Sequence, residues 1–351
     1  MFRQLEKAGL ADLHFAADPS TGLRAIIAIH STVRGPAIGG CRFIAYDSDD
    51  DAITDAIRLA RGMSYKAALA DLPHGGGKAV VLKPQGDFDR TALMQSFGRF
   101  VDALGGRYIT AMDSGTQVSD MDAIATQTQW VSCTSQAGDP SPYTAQGVFE
   151  GICAAVRHRL GRDRLTGVSV ALQGLGHVGF ALARQLHDAG AQLLVCDLDK
   201  GRVEQAVQAF GARSLAPDEI YAAPADVFCP CGLGAVINDD TLAQLNCSIV
   251  AGSANNQLAE ARHGELLRER GILYAPDYLI NAGGLIFVAM NHAGSPAHAI
   301  ADKVHGIGTE LQALFQQADR EGLPTSLEAD KRAEAIIARA SSHAEHQHSA
   351  A

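Results

Sequence analysis

Two lysines, Lys66 and Lys78, stand twelve positions apart, and His74-Gly75-Gly76-Gly77 lies directly before the second. Two amines beside residues without side chains could hold one small anion and place a second amine next to it. Lys66 falls on the last turns of a helical pattern, and Lys78 is expected to open a strand over 79–82. The glycines between them read as a turn that lets a ligand come close to the backbone. A phosphate loop is excluded, because that pattern needs Ser or Thr after its lysine and Ala79 stands there. The plain alternative is a glycine turn flanked by two solvated lysines. Asp113 is a third candidate, just past the apolar run Tyr108-Ile-Thr-Ala111. A carboxylate beyond a strand end suits proton chemistry, but it would serve equally as a helix cap.

A second constellation begins where the apolar run 168–173 enters Gly174-x-Gly176-x-x-Gly179, with a helical stretch over 180–189 behind it. The next apolar run ends in Asp197, eighteen residues past Gly179. The glycine pattern alone is weak. With a strand before it, a helix behind it and an acid after the following strand, it is a complete dinucleotide-binding βαβ unit for a nicotinamide or flavin nucleotide. Gly174, Leu175, Gly176, His177, Val178 and Gly179 would cradle a pyrophosphate at a helix N-terminus. Asp197 would accept a bond from a ribose 2′-hydroxyl and repel a 2′-phosphate, which favours NAD over NADP, although Arg202 nearby could take such a phosphate.

Composition narrows the class. A chain of 351 residues suits two domains. Lys plus Arg minus Asp plus Glu is 29 − 39 = −10, a poor balance for nucleic acid or an anionic membrane surface. No run approaches the roughly eighteen apolar residues of a membrane span, and no secretory pattern opens the chain. The seven cysteines are scattered, Cys196 and Cys247 within apolar runs, and Cys229-Pro-Cys231 is not the spacing of a redox or zinc motif. A reducing cytoplasm and no metal are expected.

The elements that must position these residues follow in order. Strands are expected over 25–29 and 41–46, with Gly35-Pro-Ala-Ile-Gly-Gly40 breaking the pattern between them. The acidic cluster Asp47-Ser-Asp-Asp-Asp51 caps a helix whose buried face carries Ile53, Ala56, Ile57, Ala60, Met63 and Ala67. Helices follow over 89–104 and 144–160, the second after the turn-rich stretch 135–142. Strands over 226–229, 248–251 and 272–274 extend a parallel sheet. The loops Ser253-Ala-Asn-Asn256 and Asn281-Ala-Gly-Gly284 follow strand ends, on the edge where a cofactor would lie. The fold class is therefore α/β. The expectation is an N-terminal α/β domain over 1–135 and a doubly wound parallel-sheet (Rossmann) domain over 143–325. A closing helix over 326–340 would pack back, and a polar tail over 341–351 would be disordered.

With these residues in hand, the chain resembles the NAD-dependent amino-acid dehydrogenases of the glutamate/leucine/phenylalanine/valine family, most of all its leucine dehydrogenase branch. The resemblance runs from about Gly22 to Arg339 and is carried by several motifs in one order: Gly35-Pro-Ala-Ile-Gly-Gly-Cys-Arg42, Gly62-Met-Ser-Tyr-Lys66, Gly75-Gly-Gly-Lys78, Ala111-Met-Asp113, the dinucleotide glycines, Gly252-Ser-Ala-Asn-Asn256 and Asn281-Ala-Gly-Gly284. It implies reversible oxidative deamination of an L-amino acid to a 2-oxo acid, ammonium and NADH, in a cleft between a substrate/oligomerisation domain and the NAD domain. It implies Lys66 as the substrate-carboxylate ligand, with Gly39, Gly40 and Met63 lining that site. Lys78 is implied as general base and Asp113 as the group that orients the amine and relays protons. Thr144, Asn255 and Asn281 match positions around the nicotinamide. A homo-oligomer, dimer or octamer, is also implied.

In the same resemblance, Ile38, Ala111, Leu285 and Val288 line the side-chain pocket. Ala111 resembles the leucine and valine enzymes, whereas Leu285 resembles the phenylalanine enzymes. No cation or amide stands at these positions to pair with a glutamate carboxylate. Leucine and other branched-chain substrates are favoured, with phenylalanine or tryptophan as the alternative. A 2-hydroxy-acid dehydrogenase would need a histidine–carboxylate pair, which His177 is badly placed to supply. A non-enzymatic NAD-binding regulator would have no need of Lys66, Lys78 and Asp113 together.

Overall fold

A computed structural model describes residue 5, residues 9–232 and residues 234–349, the side chains of residues 343–349 excepted. The chain forms two compact units: Met1–Asp139 with Val288–Pro296 and Ala333–Ala351, and Pro140–Phe287 with Ala297–Arg332.

In the first unit, strands β1 (Asp12–Asp18), β2 (Leu23–Ser31), β3 (Ala37–Ile44), β4 (Gly75–Leu82) and β5 (Tyr108–Met112) form a sheet in the order β1-β2-β4-β3-β5. β2 runs antiparallel to β1 and β4, while β3 is parallel to β4 and β5. Helix α1 (Asp49–Leu69) starts at Ser48, whose side chain accepts from the Asp51 amide, and three aspartates occupy its first turn. Its alanines Ala52, Ala56 and Ala60 pack with Ile26, Ala28 and Val80 of the sheet. Ile53 and Met63, expected on the buried face, are only half-buried. Helices α2 (Arg90–Asp102) and α3 (Val118–Ala125) complete this part of the unit.

Two expectations fail here for one physical reason. The triple glycine is not a turn: it is the first half of β4, so Lys78 lies mid-strand instead of opening it. Likewise Gly39 and Gly40 lie inside β3 and do not break it. A Cβ on Gly75 would fall 1.7 Å from the Ser31 carbonyl oxygen, and one on Gly76 would fall 2.0 Å from the Ser64 amide of α1. Helix and strands approach so closely that only residues without a Cβ fit.

In the second unit, α4 (Ser141–Leu160) leads into β6 (Ser169–Gln173), α5 (His177–Asp188), β7 (Gln192–Cys196), α6 (Lys200–Phe210), β8 (Arg213–Ser214) and β9 (Val227–Pro230). Then come α7 (Asp239–Gln244), β10 (Ile249–Val250), α8 (Arg262–Glu269), β11 (Leu273–Tyr274), α9 (Asp277–Ile280), α10 (Gly283–His292), α11 (Ala297–Glu321) and α12 (Thr325–Ser349). The strands form an all-parallel sheet in the order β11-β10-β9-β6-β7-β8, the doubly wound order with β6 as its first strand. α11 buries Ile300, Val304, Ile307, Leu311 and Leu314 at helical spacing. A Cβ on Gly151 of α4 would lie 2.8 Å from Leu311, so a small residue there lets the two helices close. α12 runs to Ser349, and the tail expected over 341–351 falls partly outside the described residues.

Candidate functional site

In the first unit, β4 carries Lys78 and the end of β5 delivers Asp113. Lys78 is buried, and its Nζ forms an ion pair with Asp113 Oδ2. The turn after β5 locks the carboxylate. The Asp113 amide donates to Thr116 Oγ1 at 2.8 Å, the Ser114 amide donates to Asp113 Oδ1 at 2.7 Å, and Thr116 Oγ1 donates to the Cys41 carbonyl at 3.0 Å. Burial pushes the Asp113 carboxyl up, but the Lys78 ammonium, with Arg42 behind it, outweighs burial and brings it down to about 2. Asp113 thus rests as a carboxylate.

Arg42 was not among the sequence-derived site residues. Its Nε lies 3.8 Å from Asp113 Oδ2, while its Nη1 bonds Asp55 Oδ2 at 2.6 Å and Tyr46 donates to the same oxygen at 2.8 Å. Asp55 therefore anchors the guanidinium from α1. The only sequence signal was Arg42's place at the end of the glycine motif; Asp55 and Tyr46 carried none. Tyr108 was also missed. It is fully buried, donates to the Gly39 carbonyl at 2.8 Å, and its ring lies where a Cβ on Gly77 would go, at 2.8 Å.

The other residues expected at the substrate site fall as follows. Lys66 sits half-buried in the last turn of α1. A Cβ on Gly39 would lie 3.4 Å from Met63 Cγ, and one on Gly40 would overlap Asp113 Cβ at 2.6 Å. Ile38 is opposite Gly76 on one side and Ile109 on the other, and Gly40 is opposite Ala111. Leu285 and Val288 lie one turn apart on α10, and both are buried.

In the second unit, Gly174 takes φ +97°, a conformation that favours glycine, and β6 turns there into α5. A Cβ on Gly179 would fall 2.0 Å from the Gly174 carbonyl oxygen, whereas one on Gly176 would meet nothing within 4 Å. Gly176 is the N-cap of α5 and offers no side chain to its first amides. Open space over uncapped helix amides fits a pyrophosphate. Leu175 is buried, and its amide donates to Asp197 Oδ2 at 2.6 Å, which ties the acid at the end of β7 to the glycine turn. His177 is exposed and Val178 half-buried on the first turn of α5. Arg202 pairs with Asp199 at 3.4 Å. Asn281 Nδ2 donates to Asn255 Oδ1 at 2.9 Å and to the Ser253 carbonyl at 3.1 Å, so the loop after β10 meets Asn281, which caps the end of α9 and does not follow a strand end as expected. Thr144 Oγ1 packs where a Cβ on Gly284 would stand, at 2.5 Å. Among the described residues no group of three or more His, Cys, Asp or Glu side chains could hold a metal ion, and no helix is long and apolar enough to cross a membrane.

Comparison with known proteins adds an independent observation. Residues 11–130 match the model of the Glu/Leu/Phe/Val dehydrogenase dimerisation domain, and residues 195–347 match that of the glutamate/leucine/phenylalanine/valine dehydrogenases. Leucine dehydrogenase of Bacillus subtilis is 47% identical over 97% of this chain and 94% of its own length. L-tryptophan dehydrogenase of Nostoc punctiforme is 43% identical over 95% of each chain. A crystal structure of L-tryptophan dehydrogenase from Nostoc punctiforme superposes with a TM-score of 0.86 at 41% identity, covering 97% of this chain and 99% of the other.

Proposed function

Since the chain belongs to the glutamate/leucine/phenylalanine/valine dehydrogenase family and is an NAD-dependent amino-acid dehydrogenase, we propose that it deaminates L-leucine and other branched-chain L-amino acids through Lys66, Lys78 and Asp113. The observation that carries this reading is the buried Lys78–Asp113 pair. Lys66 takes the substrate carboxylate, and Asp113 receives the substrate ammonium. That ammonium competes with Lys78 for one carboxylate. Two cations beside a single anion disfavour the second charge, so Lys78 releases its proton and becomes the base. Bound at the Gly174–Gly179 turn, NAD supplies the hydride acceptor. Arg42 holds Asp113 ionised while the lysine changes state. The apolar residues assigned to the substrate side chain are Ile38, Ala111, Leu285 and Val288, and those assigned to the nicotinamide are Thr144, Asn255 and Asn281. The curated relatives include enzymes named for leucine and for tryptophan. A methylene or two in such a pocket is worth only about 1–3 kcal/mol, so use of several apolar substrates is expected. The protein acts as a cytoplasmic homo-oligomer, which light scattering tests against the 36.9 kDa chain mass.

NADH formation at mildly alkaline pH with L-leucine, L-valine, L-phenylalanine, L-tryptophan and L-glutamate tests the substrate. Leucine and valine are expected to lead. If phenylalanine or tryptophan leads, the pocket reading is wrong, and Leu285 leaves more room than Ala111 removes. Lys78→Ala is expected to lower kcat by about 10²–10⁴-fold with NADH binding intact; unchanged turnover would remove Lys78 as the base.

A further inference from the structure

Behind the dinucleotide turn lies a pair of thiols that the reaction does not use. Cys229 is fully buried near the end of β9, Cys231 follows Pro230 and is half-buried, and their sulfurs are 3.7 Å apart. Gly232 next to them is exposed. The Cys231 amide donates to the Gln173 carbonyl at 2.7 Å, which fastens this segment to the end of β6. A Cβ on Gly174 would lie 3.0 Å from the Cys231 carbonyl carbon and 2.9 Å from the Gly232 amide, and one on Gly179 would lie 3.4 Å from Cys231 Cβ. The backbone around Cys231 is thus the wall against which the turn is built.

We propose that Cys229 and Cys231 are a site of reversible oxidation by peroxide, and that the disulfide formed there weakens NAD binding at the adjoining turn. The second part rests on the assignment of NAD to that turn. The half-buried Cys231 thiolate attacks the peroxide oxygen, giving a sulfenic acid and, after protonation, water. The Cys229 thiol then displaces the sulfenic oxygen as a second water and closes the S–S bond. Two thiols lose two electrons and two protons in all, and one peroxide becomes two waters. Hydrogen bonds from Cys229 and from Ser253 lower the Cys231 thiol, and the same pairing raises Cys229, which assigns attack to the outer sulfur. Closure must shorten 3.7 Å to about 2.05 Å. Cys229 is held in β9 between β6 and β10, so Cys231 has to move. Two residues of extended chain span up to about 7 Å, the upper end of what a disulfide bridges, so the segment must also contract and draw away from Gly174.

The test exposes the purified full-length protein to hydrogen peroxide, blocks free thiols, maps the disulfide by peptide mass and fragmentation, and titrates NADH by fluorescence. The expected result is a Cys229–Cys231 disulfide with NADH affinity lowered between about five- and 150-fold, the range of coupling between linked sites, and restored by dithiothreitol. Cys229→Ala is expected to bind NADH as the parent does when reduced and to show no dithiothreitol-reversible loss. Both thiols still free after peroxide, a mapped disulfide with unchanged affinity, or a reversible loss that persists in Cys229→Ala each overturns the proposal. Failure of the reduced protein to bind NADH overturns the NAD assignment and the affinity part with it, while the peptide map still decides the oxidation site.

Discussion

Gly75-Gly76-Gly77 and Gly174-x-Gly176-x-x-Gly179 are both glycine-rich, yet their missing side chains do different work. In the first, the space a Cβ would fill belongs to the protein: the Ser31 carbonyl, the Ser64 amide and the Tyr108 ring stand there. In the second, Gly174 and Gly179 are crowded, but Gly176 faces open space over the start of α5. One run lets a strand press against a helix and brings Lys78 into the core beside Asp113. The other leaves helix amides uncovered for a ligand. Glycine content alone does not distinguish internal close packing from an anion cradle; the neighbour that occupies the vacated volume does.

That contrast can be broken from either side. Gly76→Ala, with a Cβ 2.0 Å from backbone, is expected to cost about 3 kcal/mol of stability or more in urea unfolding. A loss of NADH affinity with stability intact would show that the first run serves a ligand after all. The charge pair beside this run gives the next effect. Asp113 sits at about 2 against an ordinary 3.8, so its ionised form favours the folded state. That contribution, about 2 kcal/mol, is complete above the unfolded value and is lost as pH falls through the folded one. Asp113→Asn should therefore flatten the acid limb of stability measured between about pH 5 and pH 2. A limb of unchanged slope would mean that Lys78 does not hold the carboxylate down.

Gly176→Ala is expected to weaken NADH binding about tenfold, or 1.4 kcal/mol, in a fluorescence titration. It should leave the unfolding midpoint nearly unchanged, because φ −66° suits alanine and the change removes no internal contact. A fall in stability without a fall in affinity would place Gly176 with the packing glycines. The smallest effect is expected from Arg42→Gln, about 1 kcal/mol, read as a several-fold drop in kcat. Asp55 and Tyr46 would then hold a neutral amide instead of the cation behind Asp113.

Much of this was legible in the sequence where the signal was local. Ser48 and the aspartates after it marked the start of α1, and the alternation of apolar runs with Gly174–Gly179 and Asp197 laid out the doubly wound unit. The glycine strands were not legible, since glycine is disfavoured in strands and its runs carry the signature of turns. Their reason lies in Ser64 and Tyr108, which are near in space only. The Lys78–Asp113 pair entered through family resemblance, because residues 35 positions apart have no periodicity to join them. Arg42 on β3, Tyr46 in the loop after it and Asp55 on α1 form a network, and nothing in spacing announces it. Cys229-Pro-Cys231 lacks a familiar motif, and only the 3.7 Å between the sulfurs, one near the end of β9 and one just past it, joins the two thiols.

The discontinuous first unit has a consequence for how the protein comes into being. Tyr65 donates to Glu334 Oε1 at 2.5 Å and Arg61 donates to the same oxygen at 3.3 Å, and Glu334 belongs to the segment that rejoins the first unit. A ribosome delivers domains from the N-terminus onward. Residues 1–139 emerge before the second unit, but the helix that lies against α1 emerges only after it. The second unit can close over a largely contiguous stretch while the first still waits for its final piece. The unit synthesised first is the one finished last.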